Sequence, residues 1–121
     1  MKIVWIVDDD DDTSKAVALM VKLLNYQTKC INNARSAARI IMEGEKPDLV
    51  LLDINMPEVS GFDLLEFMQR NPATQPIPVI FLSSEAADLQ IERALNMGAR
   101  GYLVKPVSLE ELELQINQVF R

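Results

Sequence analysis

Apolar residues recur along this chain in two alternating rhythms. Residues 3–7, Ile-Val-Trp-Ile-Val, are apolar without interruption, as a strand buried on both faces should be. Residues 13–25 follow with Val17, Met20, Val21 and Leu24 at helical spacing. The run over 28–31 keeps polar positions and reads as an edge strand. Residues 34–43 read as a helix with Ala37, Ile40 and Ile41 as its inner stripe and Gly44 as its stop. Residues 49–52, introduced by Pro47, form the third strand. A turn over 56–61 leads into a helix carrying Phe62, Leu65 and Met68, which Asn71-Pro72 ends. Residues 79–82 after Pro78 make the fourth strand, 86–97 a helix closed by Gly98, and 102–104 the fifth strand. The last helix starts at Ser108, where Ser108 and Glu111 have capping-box spacing, and its inner stripe is Leu112, Ile116 and Val119.

Strict alternation of continuous apolar strands with amphipathic helices predicts an α/β fold, a five-stranded doubly wound parallel sheet covered on both faces. No repeat, linker or low-complexity segment divides it, so residues 1–121 are expected to form one domain. Composition changes little, since 49% apolar and 25% charged residues are ordinary for a globular chain. Charge changes more: a formal −6 with no cluster of Lys and Arg argues against direct nucleic-acid binding. The N-terminal apolar run is too short for a signal-peptide core, and no stretch nears the roughly 18 apolar residues of a membrane span. No membrane contact is expected. The single Cys30 has no disulfide partner and reads as a small core residue in a reducing compartment. A cytoplasmic protein is therefore expected.

In an open parallel sheet, ligands gather beyond the carboxyl ends of the strands. Here Asp8 to Asp12 follow the first strand, Asp53 and Asn55 the third, Ser83 and Ser84 the fourth, and Lys105-Pro106 the fifth. Carboxylates converging from separate strands raise one another's pKa unless a cation sits among them. Hard oxygen ligands with open water positions suit Mg²⁺. Each residue also has a plainer role. Asp11 and Asp12 suit a solvated helix N-terminus, Ser83 or Ser84 would cap the next helix, and Lys105 would merely neutralise acid. Tyr102 would be a half-buried strand aromatic. The plainer role does not account for Asp8 and Asp9, which end a buried strand, or for Asp53 across the sheet. Pro106 keeps the chain after Lys105 non-helical and admits a cis bond, which would aim the ammonium at the mouth.

The ordered set Asp8-Asp9, Leu52-Asp53-Ile54-Asn55-Met56-Pro57 with Gly61, Ser83, and Tyr102-Leu103-Val104-Lys105-Pro106 resembles the receiver domains of two-component response regulators, chemotaxis regulators among them. The resemblance covers the whole chain. It implies a flavodoxin-like (βα)5 fold with strand order 2-1-3-4-5. It implies that Asp53 accepts a phosphoryl group from a phosphohistidine on a sensor histidine kinase or a histidine phosphotransfer protein. By the same resemblance Asp9 is a direct ligand of Mg²⁺, with Mn²⁺ as the alternative metal. Asp8 acts through metal-bound water, Asp53 joins the set, and Asn55 offers its backbone carbonyl. Ser83 and Lys105 each contact a phosphoryl oxygen, and Ser83 and Tyr102 form the switch. The family more often carries Thr where Ser83 stands, so the hydroxyl is kept and a methyl is missing from the packing.

The resemblance further implies that phosphorylation reshapes the surface of the fourth helix, fifth strand and fifth helix. That surface would meet a downstream protein, a fused effector domain or a second copy. Leu114 and Phe120 fall partly off the inner stripe of the last helix, as candidate apolar contacts of that surface or as ordinary partly exposed apolar residues. Such a chain is no enzyme beyond catalysing its own phosphorylation and dephosphorylation. Having no His, it cannot be the phosphohistidine donor.

Two other functions compete. Asp9, Asp11 and Thr13 fit the DxDxT nucleophile motif of haloacid-dehalogenase-like phosphatases, but a run of Asp makes that match nearly automatic and no acidic metal motif follows Lys105. A receiver-like binding module that is never phosphorylated would usually have lost an acidic or Lys position, and none is lost here. A flavin site lacks its phosphate loop after the first strand, and an EF-hand loop fails because Thr13 stands where Gly is needed. The sequence is expected to be either a stand-alone regulator or the receiver of a longer protein.

Overall fold

Strand and helix alternate without exception in the computed structural model, which describes all 121 residues. The order is β1 (Ile3–Val7), α1 (Asp11–Leu23), β2 (Gln27–Ile31), α2 (Ala34–Met42), β3 (Leu49–Asp53), α3 (Gly61–Arg70), β4 (Val79–Ser83), α4 (Asp88–Asn96), β5 (Gly101–Val104) and α5 (Leu109–Val119). The strands form one parallel sheet in the order β2-β1-β3-β4-β5. This is the expected doubly wound order, with β2 on an edge.

Strand alternation divides the core into two layers. Trp5, Val7, Val50, Leu52, Val79 and Phe81 pack with Ala37, Ile41, Leu65, Met68 and Ala94, residues of α2, α3 and α4. Val4, Ile6, Leu49, Leu51, Ile80, Leu82 and Leu103 pack with Val17, Val21, Leu112 and Ile116 of α1 and α5. A strand covered on both sides has no solvent face, which is why β1, β3 and β4 read as unbroken apolar runs. Burying such side chains stabilises the fold by about 1.5–3 kcal/mol each. No helix is long and apolar enough to cross a membrane.

Several local expectations need correction. Helix α1 begins at Asp11, and its N-cap is Asp10, whose carboxylate accepts from Asp12 N at 3.1 Å and from Thr13 Oγ1 at 2.8 Å. Asp11 and Asp12 lie inside the first turn. Neither Ser83 nor Ser84 caps α4; the cap position is Ala87, which makes no side-chain bond. At α5 only half of the expected capping box forms, Glu111 N donating to Ser108 Oγ at 3.2 Å. The full box is at α3, between Ser60 and Asp63. Cys30 is exposed on the edge strand rather than in the core. Phe120, the C-cap of α5, is half-buried against Tyr26, ring centroids 5.6 Å apart, so of the two apolar candidates only Leu114 is left open.

Candidate functional site

The same period-two alternation that builds the core sorts the strand-end residues. Val4 and Ile6, Leu49 and Leu51, and Leu103 face α1 and α5. Continuing that stripe by one step puts Asp8, Asp53 and Lys105 on one side. Val79 and Phe81 face the other layer, and Tyr102 packs against it, so Ser83 and Tyr102 belong to the side of α4.

The first group is an ion cluster. Lys105 Nζ lies 2.8 Å from Asp8 Oδ2 and 3.2 Å from Asp53 Oδ1, donating a hydrogen bond to the latter. Asp8 is fully buried and Asp53 is 4% exposed. Asp8 Oδ1 accepts from Asp10 N at 2.9 Å. Asp8 Oδ2, fully buried, has the Lys105 ammonium at 2.8 Å as its charge partner and no further polar partner. Asp9 is exposed, yet one carboxylate oxygen from each of Asp8, Asp9 and Asp53 lies within 4.8 Å of the others.

The electrostatics follow from this crowding. Burial, then the Asp8 charge, push the Asp53 carboxyl up to about 6, and Lys105 offsets only part of it. For Lys105 burial acts to lower the pKa, but Asp8 and Asp53 together outweigh it and leave the pKa raised. Lys105 therefore stays a cation throughout the physiological range. One ammonium serves a cluster of three carboxylates, and the buried Asp8 Oδ2 has no partner other than that ammonium. That donor set fits a hard divalent cation held by oxygens.

The loop after β3 is shaped to this cluster. Gly61 N donates to Ile54 O at 2.8 Å, folding the start of α3 back onto the end of β3. A Cβ on Gly61 would overlap the carbonyl oxygen of Asp53 and lie 2.9 Å from Ile54 Cα. Only glycine permits that approach. Asn55 sits exposed in the same loop, two residues after Asp53. The Lys105–Pro106 peptide is cis, as the sequence allowed. Beside Lys105 a cleft of about 470 Å³ opens toward α1, lined by Asp10, Thr13, Ala16 and Met20 among others.

Ser83 is fully buried, and its hydroxyl lies in a separate polar chain. Ser83 Oγ accepts from Glu85 N at 3.0 Å and from Gln90 Nε2 at 3.2 Å. Gln90 Nε2 also donates to Tyr102 Oη at 3.0 Å, and Tyr102 Oη donates to Glu85 O at 2.7 Å. The two expected switch residues are thus joined through a third. Nothing in the sequence pattern pointed to Gln90, a polar residue in the first turn of a polar helix, because its contacts cross a loop rather than follow a period.

Comparison with known proteins agrees with this geometry. The family model described as "Response regulator receiver domain" matches residues 4–117. The regulatory protein AtoC of Escherichia coli is 33% identical over 118 residues, 98% of this chain and 25% of that protein. The phosphate regulon transcriptional regulatory protein PhoB of Pseudomonas aeruginosa is 32% identical over 120 residues, 99% of this chain and 52% of that protein. The chain thus spans about half or less of these curated relatives. Among solved structures, the signal receiver domain of a signal transduction histidine kinase from Syntrophus aciditrophicus is 27% identical, with a TM-score of 0.87 over 98% of this chain and 89% of that one. The chemotaxis response regulator CheY4 of Vibrio cholerae shares the fold, with a TM-score of 0.88 at 24% identity over 98% of each chain. With an acidic pocket of Asp8, Asp9 and Asp53 facing Lys105 at the expected strand ends, the chain belongs to the response regulator receiver domain family, the phosphoacceptor modules of two-component phosphorelay signalling.

Proposed function

We propose that Asp53 is the residue that accepts the phosphoryl group. The observation that carries this is the buried Asp53 carboxylate held 3.2 Å from Lys105 with the oxygens of Asp8 and Asp9 beside it. Asp8, Asp9, Asp53 and the Asn55 backbone carbonyl would hold Mg²⁺, and Mn²⁺ is the other hard cation the same oxygens would accept. When bound, the metal supplies positive charge against the acids and the phosphoryl oxygens.

The protein's own groups do the rest. An Asp53 oxygen attacks phosphorus in line, a P–O bond forms, and the P–N bond of the donor phosphohistidine breaks. The bond's electron pair stays with an imidazole protonated at its other nitrogen, which leaves neutral. Lys105, whose ammonium lies 3.2 Å from Asp53 Oδ1, bonds a phosphoryl oxygen and neutralises its charge. Ser83 offers its hydroxyl to another, and Tyr102 follows Ser83. Hydrolysis reverses the mark: water attacks phosphorus, the P–O bond to Asp53 breaks, and inorganic phosphate and the carboxylate are released with one proton. The donor is a sensor histidine kinase or a phosphotransfer protein, since the chain has no His. Residues 1–121 act as one receiver domain whose α4–β5–α5 surface meets a downstream protein, a fused effector or a second copy. Leu89 and Leu114 are exposed on α4 and α5 of that surface.

The test is phosphorylation by acetyl phosphate, read on a phosphate-affinity gel. The parent chain shifts with Mg²⁺ and fails to shift with a chelator, and Asp53→Asn does not shift in either. Equal labelling of Asp53→Asn would overturn the assignment. The dehalogenase-like alternative gains nothing from the structure: Thr13 Oγ1 is engaged by the cap Asp10, and Asp9 is exposed.

A further inference from the structure

We infer that Gln90 is a positioning residue that presets the Ser83 hydroxyl as a hydrogen-bond donor and ties its movement to Tyr102 and the start of α4. This rests on the proposed role of Ser83 at the phosphoryl group. A serine hydroxyl has one proton to give and two lone pairs to accept with. Both lone pairs of Ser83 are engaged, one by Glu85 N at 3.0 Å and one by Gln90 Nε2 at 3.2 Å. What remains is the proton, which is the group a phosphoryl oxygen requires. Threonine would have its χ1 restricted by the γ-methyl. Ser83 has no such methyl, so these two bonds hold its rotamer instead.

The direction of the Gln90 amide follows from its neighbour. The single proton of Tyr102 goes to Glu85 O at 2.7 Å, so the Gln90 atom 3.0 Å from Tyr102 Oη must be the one that donates. Its two N–H groups then serve Ser83 and Tyr102, and the Ser83 O–H is the one donor of this hydrogen-bond network left without an acceptor. If the Ser83 hydroxyl moves toward a phosphoryl group, it must either lose Gln90 or draw it along. Helix α4 is free to follow, because Ala87 gives its first turn no side-chain cap and Ala94 is its one buried residue. Few buried contacts mark a segment that shifts at low cost.

The experiment is a double-mutant cycle on binding of beryllofluoride with Mg²⁺, a phosphoryl mimic, followed by titration calorimetry. Gln90→Met keeps length and helix propensity and removes the amide. Each of Gln90→Met and Tyr102→Phe is expected to weaken binding about three- to tenfold, and the double variant no more than the weaker single. The Tyr102 ring resonances, which shift on binding in the parent, are expected to stay put in Gln90→Met. If the two losses multiply, or the Tyr102 resonances still move in Gln90→Met, Gln90 is not the link and Ser83 and Tyr102 act without it. Both of those outcomes leave the phosphoacceptor reading standing. If the parent chain fails to bind, or Asp53→Asn binds equally well, the functional reading itself falls and this inference with it.

Discussion

Replacing Asp53 by Asn should make the metal-free protein more stable, not less. The carboxyl is carried from its ordinary 3.8 to about 6, chiefly by burial and then by Asp8. Holding it ionised in the folded chain therefore costs about 3 kcal/mol at neutral pH. The Lys105 attraction is already included in that balance, and the Asn amide oxygen can still accept from Lys105. A gain of about 2–3 kcal/mol for Asp53→Asn is expected at pH 7.5. The sign with pH follows from proton binding. The folded chain holds this proton more tightly than the unfolded chain, so the penalty is absent below 3.8, grows as the pH rises toward 6 and is complete above it. The variant's advantage should thus vanish in acid and reach its plateau above about 6. Urea unfolding in chelator from pH 3.5 to 8 measures it, with the fluorescence of Trp5, the single tryptophan and fully buried, as the signal. A parent chain more stable than Asp53→Asn at pH 7.5 without metal, or a difference independent of pH, would refute the electrostatic picture of the site.

The other perturbations probe the same cluster from different sides. Adding Mg²⁺ to the chelated protein should raise the stability of the parent more than that of Asp53→Asn, and equal gains in both would place the cation elsewhere. Lys105→Met leaves the buried Asp8 and Asp53 without their cation, so thermal and urea unfolding should show a loss of about 3 kcal/mol in chelator. Its phosphorylation by acetyl phosphate should also slow by about a hundredfold, measured on gels over time. Gly61→Ala forces a methyl into the Asp53 carbonyl, costing about 1–3 kcal/mol by urea unfolding and slowing phosphorylation. An alanine variant as stable and reactive as the parent would mean the loop is free to move aside.

Most of this site can be read from strand ends because two periodicities carry the information. Unbroken apolar runs over 3–7, 49–52 and 79–82 announce strands buried on both faces, and the residues that follow them must emerge at one edge. Carrying the period of two past the last core residue separates Asp8, Asp53 and Lys105 from Ser83 and Tyr102, as the ion cluster and the Gln90 chain confirm. What the sequence could not reveal depends on single bonds. Which of five consecutive aspartates caps α1 is decided by the Asp10 contacts to Asp12 and Thr13. The exposure of Cys30 follows from β2 lying at the sheet edge, which leaves one strand side without a neighbour. The sequence pattern starts α4 at 86 rather than at Asp88, and Ser83 and Ser84 resemble its caps, whereas both lone pairs of the Ser83 hydroxyl are taken by Glu85 N and Gln90 Nε2.

Everything proposed for this chain turns on where the phosphoryl group lands. The measurement is direct: incubate the protein with Mg²⁺ and a phosphorylated histidine donor or acetyl phosphate, then reduce with borohydride, which converts a phosphorylated aspartate to homoserine. Peptide mass spectrometry then locates the changed residue. Homoserine at position 53 and nowhere else in the acidic cluster is the predicted result. Homoserine at Asp9, or none in a preparation that demonstrably binds Mg²⁺, would contradict the assignment of Asp53 as the phosphoacceptor.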